Sequence, residues 1–224
     1  MAAGSPTGTS ELPAAFIFDM DGVIVDSNPL HRVVWTEFNS RYGIETTEAM
    51  FARMYGKRTD AVIRDFFGAH LPEAEVLALG AAKEALYRDM MRPQLEACLV
   101  PGVRHFMDSR RATPMAVATN AEPENLDFVL NEATLGQYIR FKANGYEVAR
   151  PKPAPDIYLK AAKGLGVDPA TCVVFEDSHS GVEAALAAGM RVVGITTTHT
   201  ELPGVSLAIP NFTDPALAAW LARE

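Results

Sequence analysis

The stretch Phe16-Ile17-Phe18-Asp19-Met20-Asp21-Gly22-Val23-Ile24-Val25-Asp26-Ser27 limits how this chain can fold more tightly than any other. Three apolar residues run into a carboxylate, a second carboxylate follows two positions on, and a glycine then permits a sharp turn. An all-apolar run of this length suits a strand inside a parallel sheet covered on both faces. In such sheets ligands bind outside the carboxyl ends of the strands. Side chains at i and i+2 of an extended segment point the same way. Asp19 and Asp21 therefore share one small space and repel each other unless a cation or a shared proton intervenes. A turn capped by two aspartates would use the same residues, and Asp-x-Asp-Gly alone does not separate the two readings.

The rest of the chain repeats and then interrupts this design. Residues 1–12 are rich in Ala, Gly, Ser, Thr and Pro without periodicity and read as a flexible tail. From Leu30 to about Glu96 apolar residues recur at three and four spacings, as in Val33, Val34, Trp35 and Phe38, then Val62, Ile63, Phe66 and Phe67. Breaks at Tyr42-Gly43, Gly68 to Pro72 and Arg92-Pro93 divide this block into roughly four helices. Alternation of strand and helix then returns. Met115 to Thr119 is a second apolar strand, Ile139 to Ala143 a weaker third, Cys172 to Phe175 a fourth ending in Glu176-Asp177, and Arg191 to Ile195 a fifth. The loop Glu147 to Asp156 carries Lys152 between prolines that stiffen it. The fold expected is α/β: a Rossmann-like parallel sheet core, residues 13–27 and 98–224, with an α-helical cap domain, residues 28–97, inserted after the first strand.

Parallel strands put every carboxyl end on one edge, so Asp19/Asp21, Thr119/Asn120, Lys152 and Glu176/Asp177 should converge there. Each cluster has a plain explanation as a helix cap or a solvated charge. Their joint occurrence at strand ends is harder to obtain by chance. With 224 residues and 48% hydrophobic content the chain can bury a good core. Its apolar runs fall short of the ~20 residues needed to span a bilayer, and no basic-then-apolar leader precedes the first strand. A cytoplasmic protein is expected. Cys98 and Cys172 are far apart and are expected to be reduced thiols. A net charge of −8 argues against nucleic acid or an anionic membrane as partner. A small anionic substrate stays compatible, because a metal and a few cations make a local positive site.

These four clusters, in this order and spacing, resemble the four motifs of the haloacid dehalogenase superfamily of phosphotransferases. The resemblance implies that Asp19 is a nucleophile that becomes an aspartyl-phosphate and Asp21 a general acid/base. Thr119 would hydrogen-bond the transferring phosphoryl group, Lys152 would neutralise it, and a Mg2+ would be held by Asp19, Asp21 through its backbone carbonyl, Asp177 and, directly or through water, Glu176. These are the parts phosphoryl transfer requires, since its catalysis is mostly positioning and charge stabilisation. Metal-free dehalogenases lack the second aspartate and the phosphonate hydrolases usually carry Ala there, so Asp21 argues against both. The run Asp26 to His31 followed by Trp35 resembles the helical-cap phosphatases and beta-phosphoglucomutases. That likeness makes His31, Arg58, Lys83 and Asn120 the candidate substrate-binding residues.

Between those two activities the signals divide. The mutases carry a Lys-Asn pair after the second strand that holds the remote phosphate, where this chain has Glu122-Pro123. The loop around Pro151 to Asp156 resembles the mutases. The reading taken is a Mg2+-dependent phosphatase acting on a small phosphorylated metabolite, as a monomer or weak dimer. A phosphoglucomutase-type mutase is the alternative, and a non-catalytic phosphate-binding module a further one.

Overall fold

The computed structural model describes residues 13–223, so the segment 1–12 lies outside the described residues. The chain starts with strand β1, Ala15–Phe18, and runs at once into helices α1 (Asn28–Ser40), α2 (Glu48–Met54), α3 (Thr59–Phe67) and α4 (Glu73–Met91). It then alternates: α5 (Val103–Ser109), β2 (Met115–Thr119), α6 (Pro123–Glu132), β3 (Phe141–Asn144), α7 (Asp156–Leu165), β4 (Cys172–Glu176), α8 (His179–Ala187), β5 (Arg191–Ile195), β6 (Leu207–Ile209) and α9 (Pro215–Leu221). All six strands pair in parallel in the order β3-β2-β1-β4-β5-β6. Beyond the five strands read from the sequence, β6 adds a three-residue edge strand. Leu-Ala-Ile between Pro203-Gly204 and Pro210 is too short to show a period. The break between α2 and α3, at Tyr55 to Arg58, is likewise not marked by the apolar spacing.

The buried strands alternate between two cores, as period-two geometry requires. Phe16, Phe18, Val117, Val173 and Phe175 face one side with helices α5 and α9, while Ile17, Ala116, Ala118 and Val174 face the other with α7 and α8. The first face is built around aromatic rings: Phe18 stacks on Phe175 at 5.0 Å, and Phe106 and Phe212 close over both. A third core lies within the helical insertion, formed by Trp35, Phe38, Phe51, Met54, Val62, Ile63, Val76 and Leu79. The insertion therefore packs largely on itself, joined to the sheet through the segments either side of α1 and α4. Cys98 and Cys172 are free thiols, and no helix among the described residues is long and apolar enough to cross a membrane.

Phe175 holds the first face together directly beneath the acidic end of β4. Truncating it leaves a cavity that the surrounding rings cannot fill. Phe175→Ala is expected to cost about 3–5 kcal/mol in urea denaturation, and a loss below about 1 kcal/mol would show that the aromatic cluster repacks.

Candidate active site

β1 is the middle of the sheet, flanked by β2 and β4, and Asp19 follows it immediately. The Asp19 N–H donates to the Phe175 carbonyl at 3.0 Å, so the ladder with β4 fixes the backbone from which its carboxylate projects. Gly22 makes the turn after it with φ +80°. A Cβ at Gly22 would fall 1.9 Å from Asp177 Oδ2, so only glycine lets the β1 turn approach the β4 turn. Lys152 arrives from the loop before α7, and its ammonium donates to Asp19 Oδ1 and to Glu176 Oε1, both at 2.6 Å. Thr119, at the end of β2, is buried and lines the same cleft. Its Oγ1 accepts the Ala121 N–H at 3.1 Å. The four clusters read from the sequence are thus brought together at one sheet edge.

The carboxylates differ in what they can still do. Glu176 is fully buried: its Oε1 takes Lys152 and the Tyr158 hydroxyl at 2.7 Å. Its Oε2 takes the N–H groups of Asp177 and Ser178 at 2.9 and 3.0 Å and the Ser178 hydroxyl at 3.1 Å. A Cβ on Gly181 would collide with it, so the first turn of α8 wraps closely around it. Burial pushes the Glu176 carboxyl up, but Lys152 and these donors bring it below the ordinary value. Asp19 and Asp177 go the other way. Burial, opposed by Lys152 and reinforced by Glu176 and Asp21, raises Asp19 to about 7. Burial with Glu176 and Asp19 nearby raises Asp177 well above the carboxylate range.

Asp19, Glu176 and Asp177 each offer an oxygen within 4.8 Å of the others. Three buried carboxylates against one ammonium leave the cluster short of positive charge, which is the setting an oxygen-binding dication satisfies. The donor set fits such an ion. Glu176 already accepts five hydrogen bonds, so of the residues read as metal ligands it is placed to hold Lys152 and Asp177 in position. The Asp21 carboxylate stands outside this acidic group: its Oδ1 accepts from Ser27 Oγ at 2.5 Å and lies 3.6 Å from His31 Nε2.

The cap candidates separate. His31 stacks on Tyr87 at 4.2 Å, and its Nδ1 lies 3.0 Å from Lys83 Nζ. Lys83 is only 1% exposed and donates to Glu84 Oε1 at 2.9 Å, so it is no solvated helix charge. Burial pushes Glu84 up, yet Lys83, His31 and the Thr59 hydroxyl hold it down at about 2. The amide of Asn125, on α6 of the core, donates to Glu84 Oε2 at 2.7 Å. Arg58 is not brought to the cleft: its guanidinium pairs with Asp60, donates to the Gly145 carbonyl at 3.2 Å and covers the Tyr146 ring. Its neighbour Lys57 lines the cleft instead. Asn120 donates to the Gly56 carbonyl at 2.8 Å, tying the sheet edge to the cap. Glu122 does not line the cleft but stands half-buried near Gly80 of α4, where burial and Glu84 push it up to about 7.

Tyr158, Glu84, Thr59, Asn125 and Thr198 belong to the site and carry no motif of their own. Tyr158 sits on the apolar face of α7 and looks like core, and Glu84 looks like any helical carboxylate.

A parallel α/β core with a charged cluster at its strand ends, roofed by an inserted helical cap, defines a class of enzymes that work on small anionic substrates in the cleft between the two. The family model for haloacid dehalogenase-like hydrolases matches residues 13–189, and the chain belongs to that family. Two relatives are similar over nearly their whole length. Protein CbbY of Rhodobacter capsulatus is 33% identical over 93% of this chain and 96% of its own. The fructose-1-phosphate phosphatase YqaB of Escherichia coli K12 is 34% identical over 81% of this chain and 96% of its own. The crystal structure of beta-phosphoglucomutase from Clostridium difficile shares the fold with a TM-score of 0.82, at 23% identity over 93% of this chain and 97% of that one. The protein is therefore an enzyme, phosphatase or mutase, of the haloacid dehalogenase-like type.

Removing the Lys152 ammonium leaves Asp19 and Glu176 buried without their counter-ion. Lys152→Met is expected to lose about 3–5 kcal/mol near neutral pH. A carboxylate whose folded pKa is raised stabilises the fold at low pH and loses that contribution as pH rises. The deficit in urea denaturation should therefore shrink on acidification, and a deficit independent of pH would count against the charge argument.

Proposed function

We propose that the protein is a magnesium-dependent phosphatase acting on a small phosphorylated carbohydrate or similar monoester, through an aspartyl-phosphate on Asp19. We further propose that it works in the cytoplasm as a monomer or weak dimer, and that residues 28–97 act as one lid over the core. The observation that carries the reading is the Lys152 ammonium held between Asp19 and Glu176 with Asp177 alongside: a nucleophile, a fixed cation and a site for a dication around one cleft. Asp19, Asp177 and the turn at Asp21 would hold Mg2+, which when bound offsets the charge of nucleophile and phosphate.

In the first step an Asp19 oxygen attacks phosphorus as the bond to the ester oxygen breaks, and Asp21 gives its proton to the leaving alkoxide. In the second, Asp21 takes a proton from water, whose oxygen attacks phosphorus and releases inorganic phosphate and free Asp19. Ser27 and His31 orient Asp21 for both transfers. Thr119 has its hydroxyl hydrogen free to meet a phosphoryl oxygen, while Lys152 stays charged because its two carboxylate partners outweigh the cost of burial.

Water is favoured over a sugar hydroxyl as acceptor by the state of the cap cations. A mutase must grip a second phosphate while a bisphosphate reorients. Arg58 is committed to Asp60 and Lys83 to Glu84, which leaves Lys57 as the cap lysine at the cleft that forms no ion pair among the described residues. The phosphatase YqaB, with fructose 1-phosphate as its named substrate, supports the carbohydrate class.

With Mg2+, fructose 1-phosphate or beta-glucose 1-phosphate should release inorganic phosphate, and Asp19→Asn should reduce that release to background. Glucose 6-phosphate forming from beta-glucose 1-phosphate and a trace of bisphosphate faster than phosphate is released would make the protein a mutase. Since Asp19 must lose its proton for the cation to bind, the apparent Mg2+ affinity should fall as the pH drops below about 7. Full activity in excess chelator would overturn the metal assignment.

A further inference from the structure

The loop Thr196-Thr197-Thr198 leaves the end of β5 and folds back over the β1 turn. Thr197 Oγ1 donates to the Gly22 carbonyl at 2.6 Å, which pins the loop to that turn. Thr198 lines the cleft, and its Oγ1 donates to Asp177 Oδ2 in a close contact. Asn28 Nδ2 lies 2.5 Å from the same Thr198 oxygen and 3.4 Å from Asp177 Oδ2. A hydroxyl has one hydrogen to give. Because Thr198 gives its own to the carboxylate, it must accept from the Asn28 amide, and the chain runs one way: Asn28 amide to Thr198 hydroxyl to Asp177 carboxylate. Gly22 closes the other side, since a Cβ there would strike Asp177 Oδ2. That oxygen is thus held by donors and by contact with the β1 turn, which leaves Oδ1 for a cation.

We propose that Thr198 is a positioning residue for the metal site: oriented by Asn28, it fixes the rotation of the Asp177 carboxylate so that one oxygen faces the bound cation. This rests on the reading of Asp177 as a ligand of Mg2+. It also places a link between metal site and lid, because Asn28 is the first residue of α1, where the helical insertion begins. Hydrogen bonds to a ligating group orient it, and their removal typically weakens metal affinity by about 10-fold to 100-fold. A bond that merely anchored the loop would leave metal affinity unchanged.

The test is direct binding of Mn2+ to the full chain without substrate, followed by electron paramagnetic resonance of the free ion. Thr198→Val keeps the shape and removes the hydroxyl, and its affinity should fall about 10-fold or more. Thr198→Ser keeps the donor and should bind as the unaltered protein does. Asn28→Ala removes the donor that orients the hydroxyl, together with its longer contact to Asp177, but leaves the Thr198 bond to the carboxylate and should weaken binding less than Thr198→Val; it carries the test alone if the valine variant does not fold. Unchanged affinity in Thr198→Val, or in Asn28→Ala where that variant stands alone, overturns the proposal. So does a serine variant as weak as the valine one. Asp177→Asn separates the two levels: undiminished binding there removes Asp177 as a ligand and the proposal with it, whereas loss there beside unchanged binding in Thr198→Val overturns the role of Thr198 only.

Discussion

The ammonium of Lys152, buried between Asp19 and Glu176, is the interaction on which the rest of this structure depends. Taking charges out of water costs several kcal/mol per ion unless geometry and further hydrogen bonds offset it. The chain meets that condition unequally. Glu176 receives every donor it can use, from Lys152, Tyr158, Ser178 and two backbone amides, and is held ionised. Asp19 receives Lys152 and little else, and its proton is held more tightly than usual. One carboxylate thereby serves as a fixed part of the frame and the other keeps an oxygen without a hydrogen bond among the described residues, facing the cleft. The difference arises because the first turn of α8 wraps Glu176, while Asp19 opens to the cleft.

A cluster short of positive charge can persist only on a rigid base. The sheet supplies it: β1 is paired on both sides, and the rings of Phe18, Phe106, Phe175 and Phe212 fill the space beneath. Above the cleft the helical layer is organised differently. Its own apolar core keeps it intact, while Leu30 and Val34 of α1 and Tyr87 and Met91 of α4 join the aromatic face of the sheet. Polar contacts add to this union: Asn125 to Glu84, Asn120 to the Gly56 carbonyl and Arg58 to the Gly145 carbonyl. The polar contacts are exchangeable with water, whereas the apolar ends of α1 and α4 stay packed against the sheet. His31 and Lys83 bring the buried Glu84 charge within reach of Asp21, so the order of the helical insertion and the order of the Asp21 carboxylate are connected.

What the sequence determined by itself was the topology and the chemistry at the strand ends. Apolar strands that stop at carboxylates, alternating with helices, impose a parallel sheet with its reactive edge on one side. That topology gathers Asp19, Thr119 and Asp177 at one edge with the loop that carries Lys152, while the role of each came from the resemblance of the four clusters to a known family. Strand β6 lay beyond reach because three residues carry no period, and the break before α3 because the apolar spacing runs across it unmarked. Only the tertiary structure decided how the charges pair, because pairing depends on distances between residues far apart in the chain. Arg58 and Lys83 look alike as cap cations, yet one turns to Asp60 and Tyr146 and the other is buried against Glu84. Glu122 looks like a wall of the cleft and stands behind it. Thr198 and Tyr158 acquire their roles only when β5 and α7 are folded against β4, where a hydroxyl 21 and another 18 positions from their carboxylates come within hydrogen-bond reach.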